Sequence, residues 1–429
     1  MKKPQLLVFL LLLTFCLACE NEAILDEKSK TEIWVPKPIA QKFDSGITIH
    51  WLNSVIFNKI LLPFTYIDPD KFEIYLSKND PETLEKVATL SNDQTYSHTF
   101  RNLLNGSYYY IAVKAVRKGK ESLMSDTIMV IPSIAAKVNQ VAASPNYPLE
   151  TGSMDKTRQI LAYVNRNFSW DNGKYGNMSL FIYNLATRVN SIVDTSAYFP
   201  DWSPAEMKIV YCTDKHEISK NGRRPQHLAV YDYQTRKISK ITKGDVFDLN
   251  PEFSNDGKWI VYSSDEGSPQ EFNFWKISAD GLQKEQLTSN LNLDAATTGN
   301  IALGRPSWSP DDRLIYFSVF RQKNKNGIYR ISLQNKNIEQ LITSGWMDIS
   351  PIVSPDHSKI ALISNRSGNN QIWIYNLITK KYSQITGAEN DNISTDWGKI
   401  EWIDANTLLY GKYSQENKND AIYSIEIKP

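Results

Sequence analysis

The chain has 429 residues, with 48 Lys and Arg against 47 Asp and Glu, and a formal net charge of +1. That balance argues against a general nucleic-acid binder, which carries a basic face for phosphates. Lys2 and Lys3 precede an apolar run over residues 6–15. The run is too short to span a bilayer and has the form of a secretory signal.

The run ends in Cys16-Leu17-Ala18-Cys19, which resembles a bacterial lipobox. Cys16 stands where that motif usually has Leu. The resemblance implies a signal peptide over 1–18, cleavage before Cys19 and lipidation of Cys19. Loss of Lys2 and Lys3 would take the formal charge to −1. Cys16 would be discarded and Cys212 left alone, so no disulfide could form within the chain. Cys212, in a strand, reads as a small core residue. Residues 19–35 are polar and charged and read as a tether. The implied location is the cell envelope, as an outer-membrane lipoprotein of a diderm bacterium, periplasmic or surface-exposed. Glu20 and Glu22 after Cys19 are compatible with surface export.

Residues 36–132 have a strand rhythm of their own. Ile47-Thr48-Ile49-His50-Trp51 and Phe72-Glu73-Ile74-Tyr75-Leu76 alternate as strands do. Leu103 to Val116 carries a Leu-x-x-Gly-x-x-Tyr-x-Ile-x-Val-x-Ala order that resembles the fibronectin type III signature. The resemblance implies a β-sandwich with Trp51 in its core and Tyr109 as the tyrosine corner. Residues 57–69 form an apolar insertion, expected to fold back on the following domain rather than stand as a partner-binding loop. His50 and His98 read as packing or surface residues.

Residues 133–155 form a linker that could supply a ring-closing strand. Beyond it one grammar recurs. A Pro-x-x-Ser opening, with Trp, Phe or Val before the Ser, leads to two alternating apolar runs and a closing strand, from Phe199, Asn250, Arg305 and Ser350. The openings lie roughly 45–55 residues apart, the spacing of propeller blades. Ser-Pro-Asp and Asn255-Asp256-Gly257 read as hairpin turns. One such sheet cannot cover its own faces, whereas stacking around an axis covers all of them. The Trp-Ser-Pro-Asp openings, and Asn365-Arg366-Ser367-Gly368 before Ile372-Trp373, resemble the WD40-like PD40 repeat of TolB-type propellers. The expected fold is therefore all-β: a type III-like sandwich followed by a six-bladed propeller over 156–429.

In such a blade the tight Ser-Pro-Asp turns join the first and second strands. The long insertions join the second and third: residues 165–176, 215–226, 264–271, 321–327 and 412–420. With the connection 290–305 they share one face, where function concentrates on a rigid scaffold. Trp170 and Tyr175 on that face suit stacking on sugars or anchoring a peptide, or else packing on their own loop. Arg223 and Arg224 join Lys215, His216 and Lys220 in a basic loop that suits a carboxylate-rich partner or is simply solvated. Trp346 and Trp397 lie near the central funnel. Arg366 is expected to make a structural hydrogen bond to a neighbouring blade.

A catalytic constellation is not legible. The histidines His216, His227 and His357 are scattered, and none has zinc-ligand spacing. No Gly-x-Ser-x-Gly elbow is present. Propellers of the prolyl-oligopeptidase type gate a hydrolase domain that is missing here, and oligogalacturonate lyases hold a metal with several histidines. Asp171, Asp245, Asp248, Asp294 and Asp348 leave a carboxylate-only enzyme as the lowest-ranked reading. The reading is a non-catalytic envelope lipoprotein, without metal or cofactor, whose propeller docks a protein partner. The alternative is a surface glycan binder, and a propeller glycosidase or lyase comes last.

Overall fold

The computed structural model describes residues 35–51, 69–91, 96–133, 137–143, 149–166, 178–214, 224–267, 272–289, 302–320, 326–387, 392–393, 399–413 and 421–427. Its regular structure is strand, apart from one turn of 3-10 helix at Pro81–Thr83. The chain divides into two compact units. One comprises residues 1–38, 50–97 and 110–127, the other 39–49, 98–109 and 128–429.

In the first unit Lys71–Lys78 pairs with Glu85–Ser91, and Tyr109–Arg117 extends the same sheet. Apolar residues alternate along these strands, so Phe72, Ile74, Ile111 and Val113 face inward and are fully buried. Trp51 is buried edge-on against Phe72, with ring centroids 5.1 Å apart.

A three-stranded sheet is made of Ile39–Phe43, Gly46–His50 and Ser97–Arg101, all but His50 and Ser97 belonging to the second unit. Beside it the Tyr109 hydroxyl accepts a hydrogen bond from Leu104 N at 3.0 Å, tying the strand start to the preceding connection.

The rest of this unit, among the described residues, is six antiparallel sheets. The first contains Leu149–Met154, Ile160–Arg166, Met178–Asn184 and Asn190–Thr195 in that order, and the second Ala197–Trp202, Lys208–Thr213, His227–Asp232 and Lys237–Lys240. The third and fifth repeat this order, starting at Asp248–Phe253 and Asp348–Val353. The fourth replaces its first strand by two short ones, Ala302–Leu303 and Ser307–Trp308, and the sixth by Asn392–Ile393 and Ile400–Asp404. The outer strand of the sixth sheet comes from far upstream, because Lys137–Ala143 pairs with Ala421–Glu426. First strands touch in cyclic order, from Leu149–Met154 through Ser307–Trp308 to Ile400–Asp404 and back to Leu149–Met154. The stretch 133–155 thus holds two strands, one of them the first strand of the first sheet.

The turns explain the recurring Ser-x-Asp. In the fourth sheet Ser309 Oγ donates to Asp311 Oδ1 (2.6 Å) and accepts from Leu314 N (2.9 Å), closing the hairpin around one hydroxyl. Ser254 and Ser354 do the same for Asp256 and Asp356. The next residue takes a left-handed backbone, with φ of +58° at Asp312, +59° at His357 and +70° at Gly257. Glycine is required at the last, since a Cβ there would lie 2.6 Å from Ala205 Cβ.

Sheet faces pack on one another through apolar rows. Phe199, Val210, Cys212 and Leu228 of the second sheet meet Phe253, Ile260 and Tyr262 of the third. Cys212 is a free, fully buried member of that layer.

Candidate functional site

A buried polar cluster lies on the first strands, whose contacts run in cyclic order. One polar group per first strand, a side chain in all but the fifth sheet, bonds to the next sheet. Ser153 Oγ accepts from Trp202 N at 3.0 Å, Asp201 Oδ2 from Phe253 N at 2.8 Å and Glu252 Oε1 from Trp308 N at 3.2 Å. Ser307 Oγ donates to Pro351 O at 2.6 Å. Ile352 occupies the same place in the fifth sheet, and there its carbonyl accepts from Trp402 Nε1 at 3.1 Å. Glu401 Oε1 then accepts from Met154 N at 3.1 Å, joining the last sheet to the first.

Two cations belong to this layer. Lys399 is buried, and its ammonium pairs with Asp201 and, at 3.2 Å, with Glu401. It starts in the sixth sheet and ends in the second, so it crosses over the first. Burial pulls its ammonium down, but Asp201, Glu401 and Glu252 outweigh that and hold it above the usual lysine range. The guanidinium of Arg305 lies 4.5 Å from the Phe199 ring centroid, and burial lowers it to about 10. Burial pushes Glu252 up to about 8 against the pull of Lys399, and burial also raises Glu401. The layer therefore contains two carboxyls that burial pushes toward the protonated form, with oxygens engaged by main-chain amides.

A second buried charge sits at the fifth sheet. Arg366 Nη2 contacts both oxygens of Asp348, at 2.7 and 2.8 Å, and its Nε donates to Ser364 Oγ at 2.9 Å. The guanidinium faces the rings of Tyr382, Trp373 and Trp346, at 3.8, 5.1 and 5.2 Å. The expectation of a bond to a neighbouring blade is corrected here: the anion that holds Arg366 is in its own sheet. A guanidinium buried beside its own first strand is neutralised most directly by an aspartate on that strand.

Few of the residues singled out from sequence fall in this region. Trp346 is half-buried, with its ring over Arg366 and its amide donating to Ser344 Oγ at 3.0 Å. Arg224 is exposed just before His227–Asp232, and no described contact brings it to Trp346. Cys19, Trp170, Tyr175, Arg223 and Trp397 lie outside the described residues, as do Asp171, Asp294 and residues 57–68 of the insertion. Asp348 serves Arg366, and burial raises the carboxyl of Asp248. His227 is buried, while burial lowers the half-buried imidazoles of His50 and His98. No group of three or more His, Cys, Asp or Glu residues with metal-binding geometry occurs among the described residues.

Sequence reasoning missed Asp201, Glu252, Arg305, Lys399 and Glu401. A signal was present: in Asp201-Trp202, Glu252-Phe253, Ser307-Trp308 and Glu401-Trp402 a polar residue directly precedes the aromatic of each opening.

Comparison with known proteins follows the same lines. Residues 288–427 match the family model described as the TolB beta propeller domain, and residues 217–299 match that of the dipeptidyl peptidase IV N-terminal region. The Tol-Pal system protein TolB of Francisella tularensis is 31% identical over 86 residues, 20% of this chain and 20% of that protein. The match thus spans about a fifth of this relative's length. Among solved structures, TolB from Acinetobacter baumannii aligns at 17% identity over 76% of this chain and 77% of its own, with a TM-score of 0.44. Oligogalacturonate lyase in complex with manganese aligns at 12% identity over 75% and 83%, with a TM-score of 0.43. Residues 288–427 are thus similar to a TolB-like propeller domain.

Proposed function

We propose that the chain is a non-catalytic envelope lipoprotein, anchored at Cys19 in the outer membrane. In this reading a six-bladed TolB-like propeller docks a protein partner through its long-loop face, and a type III-like sandwich is the spacer. The observation that carries the reading is the engagement of the innermost polar groups. Ser153, Asp201, Glu252 and Glu401 each accept a main-chain amide of the adjoining sheet. General acid–base chemistry needs groups within reach of a substrate proton, whereas a scaffold needs them fixed. Fixed groups suit a rigid ring that presents loops to a partner. The cyclic contact of first strands and the upstream outer strand of the sixth sheet support closure into blades. The Tyr109 tie supports the type III-like spacer. The TolB match supports the envelope setting.

The test is crosslinking in cells with the tagged chain beside a Trp170→Ala, Arg223→Ala, Arg224→Ala variant. The expected outcome is a stoichiometric protein partner that the variant loses. Recovery of no specific partner by the folded chain would overturn docking and move glycan binding forward. One observation favours central carboxylate chemistry as a second reading: Glu252, raised to about 8, lies near the ion-paired Asp201. A polysaccharide-cleaving activity abolished in a folded Glu252→Gln variant would establish it.

A further inference from the structure

A second buried lysine has no role in the reading above. Lys42, on Ile39–Phe43, is 3% exposed. Its ammonium donates to Ser133 Oγ at 2.6 Å and to the carbonyl of Gln384, 342 residues along the chain. Both acceptors are neutral, and no ion pair to Lys42 occurs among the described residues. The surrounding junction is built from main-chain bonds. Ala40 N donates to Ser367 O (2.9 Å), Lys42 N to Gly387 O (2.8 Å), and Met129 N to Arg366 O. Ile131 N donates to Gln384 Oε1 at 3.3 Å, and the Tyr108 hydroxyl is bonded to the main chain of Tyr382.

We propose that this junction is a pH-responsive clasp, in which strand Ile39–Phe43 and residues 129–133 hold the fifth sheet more tightly when the Lys42 amine is uncharged. A buried ammonium is tolerated when an anion offsets its lost hydration. Here the ionisable groups on the packed elements are otherwise occupied. Arg366 is held by Asp348, and the Tyr382 phenol is pushed by burial up to about 12. Asp44, two residues along, accepts from Asn105 Nδ2 at 2.7 Å. Residues 128–133 contain no ionisable side chain. Burial alone lowers Lys42 from 10.5 to about 7.

The sign follows from linkage. Between about 7 and 10.5 the open junction binds more protons than the closed one, so closure strengthens as pH rises through that window. Below about 7 both forms are charged and the clasp stays at its weakest. The expected gain in closure between pH 7 and pH 9 is about 50-fold.

The experiment is amide hydrogen exchange of the full chain at Ala40, Lys42 and Met129, corrected for intrinsic rates. Protection should rise about 50-fold from pH 7 to pH 9 in the native chain. It should stay flat in Lys42→Met and in Lys42→Gln, the second of which keeps a donor for Gln384. A flat native profile, or the same rise in both variants, would overturn the proposal. Glu389 and Asp391 follow Gly387 outside the described residues, so Glu389→Gln with Asp391→Asn is the control. An unchanged rise supports the clasp; a rise that appears only in this variant reveals a carboxylate counter-ion and sinks it.

Discussion

Lys399 and Lys42 are both buried in the same unit, at 7% and 3% exposure, yet their ammonium groups are shifted in opposite directions. Lys399 sits between Asp201 and Glu401 and is held above the usual lysine range. Lys42 meets a hydroxyl and a carbonyl and falls to about 7. The difference lies not in depth but in what the surrounding strands supply. The innermost strands bring carboxylates from several sheets toward one axis. The edge at Ile39–Phe43 meets the fifth sheet through main-chain groups, which are dipoles without net charge.

The comparison breaks most sharply at Asp201. Asp201→Ala leaves the buried Lys399 ammonium with Glu401 alone and Phe253 N without its acceptor. Unfolding in denaturant should show a loss of about 3–5 kcal/mol. Removing both charges, as Asp201→Asn with Lys399→Met, should cost at least about 1 kcal/mol less than the sum of the single variants. Additive costs would mean that the pair does not act as a unit.

Glu252 sharpens the contrast through pH. Its folded carboxyl is raised from 4.5 to about 8, so over that window the folded form binds more protons than the unfolded one. Stability should therefore fall as pH rises from about 4.5 to about 8, the reverse of the Lys42 trend. Melting temperatures of Glu252→Gln across that range should lose this slope while the Lys42 junction keeps its own. The smallest effect is expected at Tyr109. Tyr109→Phe removes the acceptor for Leu104 N and should cost about 1 kcal/mol in chemical unfolding. A null result would show that water replaces the tie.

Much of the fold was legible because its signals are local. The Ser-x-Asp turns, the alternating runs and the aromatic or Val before the Ser of each opening are short-range patterns fixed by hairpin geometry. Leu149–Met154 was harder to read, since its Leu-Glu-Thr-Gly-Ser-Met sequence alternates weakly and holds its place by pairing with Ile160–Arg166. The candidate site was less legible still. Arg366 stood out within its motif, yet its anion, Asp348, lies 18 residues earlier. Lys399 gave no signal, because its partner Asp201 is 198 residues away.

By itself the sequence determined an all-β chain of repeated sheets, with its turns, its buried aromatics and the positions of its loops. These follow from side-chain period and turn chemistry, which act over a few residues. Tertiary structure decided which charges meet. Cyclic contact of first strands brings Asp201, Glu252, Lys399 and Glu401 into one layer, and strand docking at the fifth sheet leaves Lys42 among neutral acceptors. Electrostatic environment depends on distance and desolvation in three dimensions, and neither is written in the order of residues along a strand.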